Sequence, residues 1–483
     1  MKVSEREERV LVTAWTLILL LSVAGPARES PDGLEMLALA QSWRGVGAVL
    51  DPGYWPPLWP ALMVPFTGGD GVGAARLANL IVAGLVAMPL HAMAWRLAGP
   101  WSARAVVALW ALSPAVLEHA EVLDARPLTW LLVAGAVGLA VRDRWGWAFA
   151  LASLAPLARA EGLVVPVALA AAALLLGRWR WAGLGVLALT PKALWGVLGP
   201  KPLAWSHLAQ TWYGTWPIED LVALHGAASV PTGYRLWVLD ALDRGVDRHA
   251  VHLTGMFAEA PEAVPFMARG LVESTGLATM VLVMMGGALL AVRGWRAAAL
   301  LSLGLAPLVA ITLVPAARGQ ASTAANLMFL LPLGLVLVAV ALTAARTRLG
   351  APGPSVLLVA AVCALEAIWG PMRGPAPDFT EDSLAARQLG VWLARHPPPT
   401  GQVASTLGSR SIVLRAGLEG VALPTVWEAW SPPAGSGAVV TNADLVSESG
   451  GRGLALLEDP EWALEAVTIE PAGQPWYAYL ERR

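Results

Sequence analysis

The amino-acid sequence predicts an all-α polytopic membrane protein of about eleven transmembrane helices, with a small C-terminal α/β domain on the extracytoplasmic side. Three observations predict it. Of 483 residues, 56% are hydrophobic and only 14% are charged, against about a quarter charged in soluble domains. The deficit is confined: up to about Gly370, long apolar stretches alternate with short Arg-bearing breaks, whereas Arg373 to Arg483 has the composition of soluble protein. The breaks also alternate in basic content, which orients the spans.

A helix needs about 20 apolar residues to cross the hydrocarbon core. The stretches that qualify, some of them short, are 10–25, 72–95, 103–118, 127–141, 146–158, 163–177, 182–198, 274–292, 297–315, 326–345 and 354–370. The charged Met1–Arg9 and the apolar Val10–Gly25 have the outline of a signal peptide. No small-residue cleavage site is clear and many spans follow, so this segment is read as the first span. With the N-terminus cytoplasmic, the inner breaks carry Lys2, Arg6 and Arg9, then Arg96 and Arg104, Arg142 and Arg144, Arg178 and Arg180, Arg293 and Arg296, and Arg346 and Arg348. Each inner break thus holds at least two basic residues, and one miscounted span would destroy the alternation. Trp95, Trp101, Trp145, Trp147, Trp179, Trp181 and Trp295 flank the same breaks, where an indole ring is half in lipid and its N–H reaches water.

The outer side then receives a first loop at 26–71, a long loop at 199–273, short turns near His119–Arg126, Arg159–Gly162 and Ala316–Ala325, and everything from about residue 371. Two domains are expected, 1–370 in the membrane and 371–483 outside it. In the second, Ser383–His396 has helical spacing, with Leu384, Leu389, Trp392 and Leu393 on one side, and Pro397–Pro399 stops it. Val403–Ser405, Gly437–Thr441 and Ala466–Ile469 are strand candidates, and no Gly-rich phosphate loop opens a helix. A net charge of −2 gives no footprint for nucleic acid. The single cysteine, Cys363, cannot form an internal disulfide.

The residues that can carry chemistry gather on the outer side. Asp32-Gly33-Leu34-Glu35 opens an amphipathic stretch to Trp43 just outside the first span. Asp32 also has the pattern of a helix N-cap, with Glu35 three residues on. Tyr54-Trp55-Pro56-Pro57-Leu58-Trp59-Pro60 offers aromatics on a rigid backbone, or simply a turn into a re-entrant helix over Leu58–Phe66. Glu118-His119-Ala120-Glu121-Val122-Leu123-Asp124-Ala125-Arg126-Pro127 is a polar turn between two spans, and Arg159-Ala160-Glu161-Gly162 joins two helices with almost no loop. Ionisable groups near membrane depth are functional candidates, although turns that reach water tolerate them and Arg159 and Glu161 can pair with each other. Lys192 follows Pro191 inside a span and Arg318 ends another; each can meet a lipid phosphate or snorkel to the interface. Asp240, Asp243, Asp247, His249 and His252 in the long loop match no strong metal motif, and Arg244 and Arg248 are interleaved. A solvated helix face is the plainer reading, and no cofactor or divalent metal is indicated.

In their order and common side these motifs resemble a family. Asp32-Gly33 after the first span, Pro56-Pro57-Leu58-Trp59-Pro60, Asp124…Pro127-Leu128, Arg159-Ala160-Glu161-Gly162-Leu163, Arg318 followed by Leu331-Pro332-Leu333, and Ala385-Ala386-Arg387…Trp392-Leu393…Pro398 are similar to features of the C-type (GT-C fold) glycosyltransferases of bacterial membranes. That group includes the aminoarabinose transferases and protein O-mannosyltransferases. The resemblance implies an inner-membrane enzyme that moves a sugar from a polyprenyl-phosphate carrier to an extracytoplasmic lipid, glycan or protein acceptor. It implies two catalytic residues, Asp32 as general base and Asp124 as the acidic residue of the later turn, and Arg159, Lys192 and Arg318 as cations steadying the departing phosphate. Glu35, Tyr54, Trp55 and Glu161 complete the implied substrate-binding set. The chemistry is coherent: a base takes the acceptor proton while cations stabilise the leaving phosphate, and a single base opposite the leaving group inverts the anomeric centre. Gly33 stands where many relatives carry a second acidic residue, and Ala160 where some carry proline.

Two other classes fit parts of the pattern. A transporter or flippase is expected to show internal repeats and a midplane site, whereas no repeat is visible here and the ionisable groups cluster at one side, His91 and Lys192 excepted. A non-catalytic scaffold predicts that Asp32→Asn changes nothing.

Overall fold

The computed structural model describes residues 5–23, 31–45, 56–67, 71–198, 277–294, 330–349, 383–398, 402–405, 415–416, 427–428, 436–442, 460–469 and 475–482. The spans expected at 297–315 and 354–370, the loop at 199–273 with its Asp and His cluster, and Tyr54, Trp55 and Arg318 lie outside the described residues. At each of the other expected spans a helix is found.

The chain opens with α1 (Glu5–Val23), whose first turn carries Glu5, Glu7 and Glu8, the sign that the positive end of the helix dipole favours. Next come α2 (Pro31–Ser42) and α3 (Leu58–Met63), with Val64–Phe66 continuing α3 as a 3₁₀ turn. The reading of Leu58–Phe66 as helix thus holds in the structure. Then α4 (Gly71–Leu85) and α5 (Ala87–Ala98) form an almost continuous apolar rod of 28 residues. The rod is interrupted after Leu85 because Pro89 supplies no N–H to that carbonyl. Gly99, at φ 89°, ends α5, and Pro100 starts α6 (Pro100–Leu112). Glycine accepts that left-handed φ without strain, and proline loses nothing at the first helical position. Extended Ser113 then separates α6 from α7 (Pro114–Glu121), and the two helices bend by 56°.

After the turn 122–125 come α8 (Arg126–Val141), α9 (Trp145–Ala152) and α10 (Ala155–Ala158). Arg159 is extended, and Ala160–Leu163 makes a 3₁₀ turn into α11 (Val164–Leu175). The helices α12 (Trp179–Ala182), α13 (Leu184–Leu198), α14 (Leu277–Val292) and α15 (Leu331–Leu349) follow. Among the described residues, Gly71–Ala98 and Leu331–Arg348 are long and apolar enough to cross a membrane singly. Pro100–Leu112 with Ala115–Glu121 forms a bent third candidate, and Arg126–Val141, Trp145–Ala158, Glu161–Leu175 and Thr279–Val292 are shorter apolar helices.

The helices pack on a core anchored by Trp59, Trp110, Trp130 and Trp145, all fully buried. Trp110 meets Trp130 edge-on at 5.2 Å and donates its indole N–H to the Ala83 carbonyl at 3.0 Å. A buried indole N–H without an acceptor is costly, and this bond spares Trp110 that cost. On α14, Gly286 lies directly against the Leu337 backbone of α15, so a side chain there would separate the two helices.

The two ends of the bundle differ in kind. At one end, Arg104 pairs with Glu8 at 2.6 Å, Arg142 with Glu5 at 3.1 Å and Arg178 with Asp143 at 2.7 Å, while Arg346 lies over the Trp101 ring at 5.1 Å. These are residues of the breaks expected on the cytoplasmic side, and they touch one another. Among the described residues, the breaks expected outside at 119–126 and 159–162 meet each other, and Gly33 of the first loop meets them, at the end away from these pairs.

The tail folds around its own core of Leu389, Leu393, Val403, Ala416, Ala438, Val440 and Tyr479. Helix α16 (Ser383–Arg395) packs on a sheet of β1 (Gln402–Ser405), β2 (Trp427–Glu428), β3 (Ser436–Asn442), β4 (Trp462–Ile469) and β5 (Pro475–Arg482). The strand order is β2-β1-β3-β5-β4. Strand β1 is parallel to β2 and β3, and β5 is antiparallel to β3 and β4.

Candidate active site

The turn 122–125 joins α7 to α8 at the end of the bundle away from the Arg104, Arg142 and Arg178 pairs. Just before it, His119 of α7 meets the Trp130 ring edge-on at 5.8 Å. Pro127 stands in the first turn of α8, where its missing N–H costs nothing, and so marks the end of the turn 122–125. Asp124 is thereby held between helices with its side chain only 6% exposed.

Both of its oxygens are engaged. Arg126 donates from Nη1 to Oδ2 at 2.6 Å and from its backbone N–H to Oδ1 at 3.2 Å. Arg159 donates from Nη1 to Oδ1 at 3.0 Å. Burial alone pushes the Asp124 carboxyl up, but the guanidiniums of Arg126 and Arg159 outweigh it and hold it down at about 2. Arg126 Nη1 also reaches His119 Nδ1 at 3.2 Å. Arginine only donates, so that ring nitrogen accepts.

Arg159 is held from the other side as well. Its Nε and Nη2 donate to the two oxygens of Glu161 at 3.2 and 3.0 Å, a bidentate fork. The extended backbone at Arg159 and the 3₁₀ turn after it make this i, i+2 chelate possible. Gly162 permits the turn, since a side chain there would strike the Ala155 carbonyl. The two turns that the sequence singled out, Glu118–Pro127 and Arg159–Gly162, thus form one charge-balanced network. The alternative of a mutual ion pair for Arg159 and Glu161 is what the structure shows, with Asp124 added.

The first loop meets the same turn. Gly33, near the start of α2, lies against the Leu123 carbonyl and Cβ so closely that any side chain would collide. This gives a physical reason for glycine where many of the resembling enzymes carry an acid. Asp32 is the second residue of α2 rather than a residue preceding it, because Pro31 opens the helix; the described residues include its backbone but not its side chain. That backbone is one residue from the Gly33–Leu123 contact, and Asp124 is one residue beyond it. Glu35 is buried on the same helix at 4% exposure.

Lys192 stands on another helix. It is half-buried on α13, and among the described residues no ion pair or hydrogen bond of its side chain is found. Trp195, three residues on, meets Trp43 edge-on at 6.4 Å, which sets α13 beside the segment that follows α2. Among the described residues, no group of three His, Cys, Asp or Glu side chains stands close enough together to hold a metal ion.

Sequence reasoning missed two residues of α4. Asn79 donates to the Val122 carbonyl at 2.8 Å and the His119 carbonyl at 3.5 Å. Arg76 donates from Nε to the Glu121 carbonyl at 3.1 Å. These are carbonyls that the end of α7 leaves without helical partners. The signal was available: Arg76 and Asn79 stand three apart, on one face of an otherwise apolar helix.

No protein-family model and no curated protein matches the chain. Solved structures do. The oligosaccharyltransferase of Archaeoglobus fulgidus, in a complex with an inhibitory peptide and a dolichol-phosphate, aligns with a TM-score of 0.55 and 14% identity over 98% of this chain and 74% of its own. ArnT from Cupriavidus metallidurans bound to undecaprenyl phosphate aligns at 0.44 and 14% identity over 97% of both chains. The mycobacterial arabinofuranosyltransferase AftD aligns at 0.47 and 16% identity over 100% of this chain and 42% of its own. At such identities a likeness is one of fold. In fold, the chain is similar to the C-type membrane glycosyltransferases, the group that the order of its motifs resembles.

Proposed function

We propose that this protein is an inverting membrane glycosyltransferase that moves a sugar from a polyprenyl-phosphate carrier to an extracytoplasmic acceptor, with Asp32 as general base. The observation that carries the reading is the contact of Gly33 with Leu123. It puts the Asp32 backbone beside the Asp124–Arg159 network, at the end of the bundle away from the basic breaks. A lipid-linked donor needs its reaction centre at such an edge, where the phosphate lies at headgroup depth and the acceptor arrives from water.

The network suggests a division of labour. Asp124, compensated by two guanidiniums, is a poor proton acceptor and serves as an anchor. Arg159 is compensated by two carboxylates, so its net attraction for a phosphate is small. Lys192 is the better cation for the leaving phosphate, since its charge has no carboxylate partner among the described residues. Glu35 and Glu161 then shape the acceptor side, with Tyr54, Trp55 and Arg318 as further substrate contacts. The boundary near residue 370, the tail outside and the bacterial inner membrane as location belong to the same reading.

The test is transfer from radiolabelled polyprenyl-phosphate-sugars by protein purified in detergent. Sugar release by the wild type supports the reading; binding of no polyprenyl-phosphate donor at all sinks it.

A further inference from the structure

We propose that Asn79 is a positioning residue, which registers the first outer loop against the 119–126 turn and so fixes the Asp32 backbone relative to Asp124. This rests on the reading of Asp32 as the base. Asn79 is 1% exposed and lies in the third turn of α4. Its amide nitrogen holds the Val122 carbonyl at 2.8 Å, and its carbonyl oxygen accepts from the Trp59 indole at 3.4 Å. One buried amide therefore touches both segments: Trp59 of α3, which ends the first outer loop, and Val122 of the turn. Leu123, the next residue, is the surface on which Gly33 rests.

The local chemistry leaves few substitutes. Val122 is fully buried, and the carbonyls that end α7 must find donors or remain buried and unpaired, which is costly. An amide side chain is suited to donate to the turn and accept from the indole at once. An apolar residue of similar size can do neither, and an acid cannot donate.

The experiment compares wild type, Asn79→Leu and Trp59→Phe in detergent. It follows donor-dependent transfer and hydrogen exchange of the backbone amides. The proposal predicts that Asn79→Leu lowers kcat by about tenfold to a hundredfold, the scale of a 1 Å misplacement, with KM for the donor little changed. It also predicts faster exchange both at 122–126 and across Pro31–Ser42. Trp59→Phe, which removes the N–H together with part of the buried indole ring, shows the same exchange pattern, and a melting curve for each variant guards against one that fails to fold. Faster exchange confined to 119–126, or a kcat that falls only in step with the folded fraction, overturns the proposal. Should the wild type bind no polyprenyl-phosphate donor, the enzymatic reading fails and the exchange pattern alone decides the registration.

Discussion

Arg159 and Asp124, 35 residues apart in sequence, are joined by a 3.0 Å hydrogen bond from Nη1 to Oδ1. This bond ties the turn before α8 to the turn before α11, and Arg126 closes the other side of the same carboxylate. Removing the carboxylate leaves two mostly buried guanidiniums with less compensation. Loss of one partner from a buried pair costs about 3–5 kcal/mol. Asp124→Asn is therefore expected to lower thermal stability in detergent sharply. A melting curve for Asp124→Asn that overlays the wild type would show that the pair is not holding the turns.

The same carboxylate sets an acid limit. Its pKa is held at about 2 in the fold, below the ordinary aspartate value of about 3.9. A depressed folded pKa stabilises the protein above the unfolded value, and the contribution disappears as pH falls through the folded one. From this group, stability is expected to be level above about pH 5 and to decline between about pH 4 and 2. Acid-unfolding curves check it: Asp124→Asn should lack that part of the slope.

Gly33→Ala adds a single carbon where the Leu123 carbonyl already stands. We expect α2 to shift and transfer to fall by about tenfold or more, the consequence of small misplacements at a reacting centre. Gly183→Ala is the control, since nothing lies within 4 Å of a Cβ there. Equal turnover in the two variants would mean that the contact of α2 with the turn is not needed for chemistry.

The grouping of the ion pairs at one end makes a statement about sidedness. In a Cys363→Ser background, Arg348→Cys is expected to react with a membrane-impermeant maleimide only after cells are permeabilised. Glu465→Cys, exposed on β4 of the tail, is expected to react in intact cells. The opposite pattern would invert the topology and remove the site from the outer surface.

Much of this was legible in the sequence, because lipid simplifies the physics: a span must be helical and apolar, so periodicity hardly enters. The tail shows the contrast. Its helix and β1, β3 and β4 announced themselves by apolar runs, whereas Trp427–Glu428 is too short to be seen. Pro475–Arg482 opens on proline, runs through Trp476, Tyr477 and Tyr479 to a charged end, and makes sense as a strand only between β3 and β4. In the site, Asp124, Arg159 and Glu161 were singled out because charge near the membrane is conspicuous. The pairing of Arg159 with Glu161 was open to sequence reading, whereas the bond to Asp124 was hidden, since nothing local brings residues 35 apart together. Asn79 went unnoticed because one amide in an apolar helix stands out only when its partners are known. Gly33 looked like a missing acid until the Leu123 carbonyl occupied its space.

The most direct test of the proposed chemistry is transfer by Asp32→Asn compared with wild type, using radiolabelled polyprenyl-phosphate-sugars and purified protein. General-base catalysis contributes about 10²–10⁴-fold. The prediction is a loss of turnover on that scale with donor binding retained. Turnover equal to wild type in Asp32→Asn would contradict the assignment of the base and leave the first loop without its proposed role.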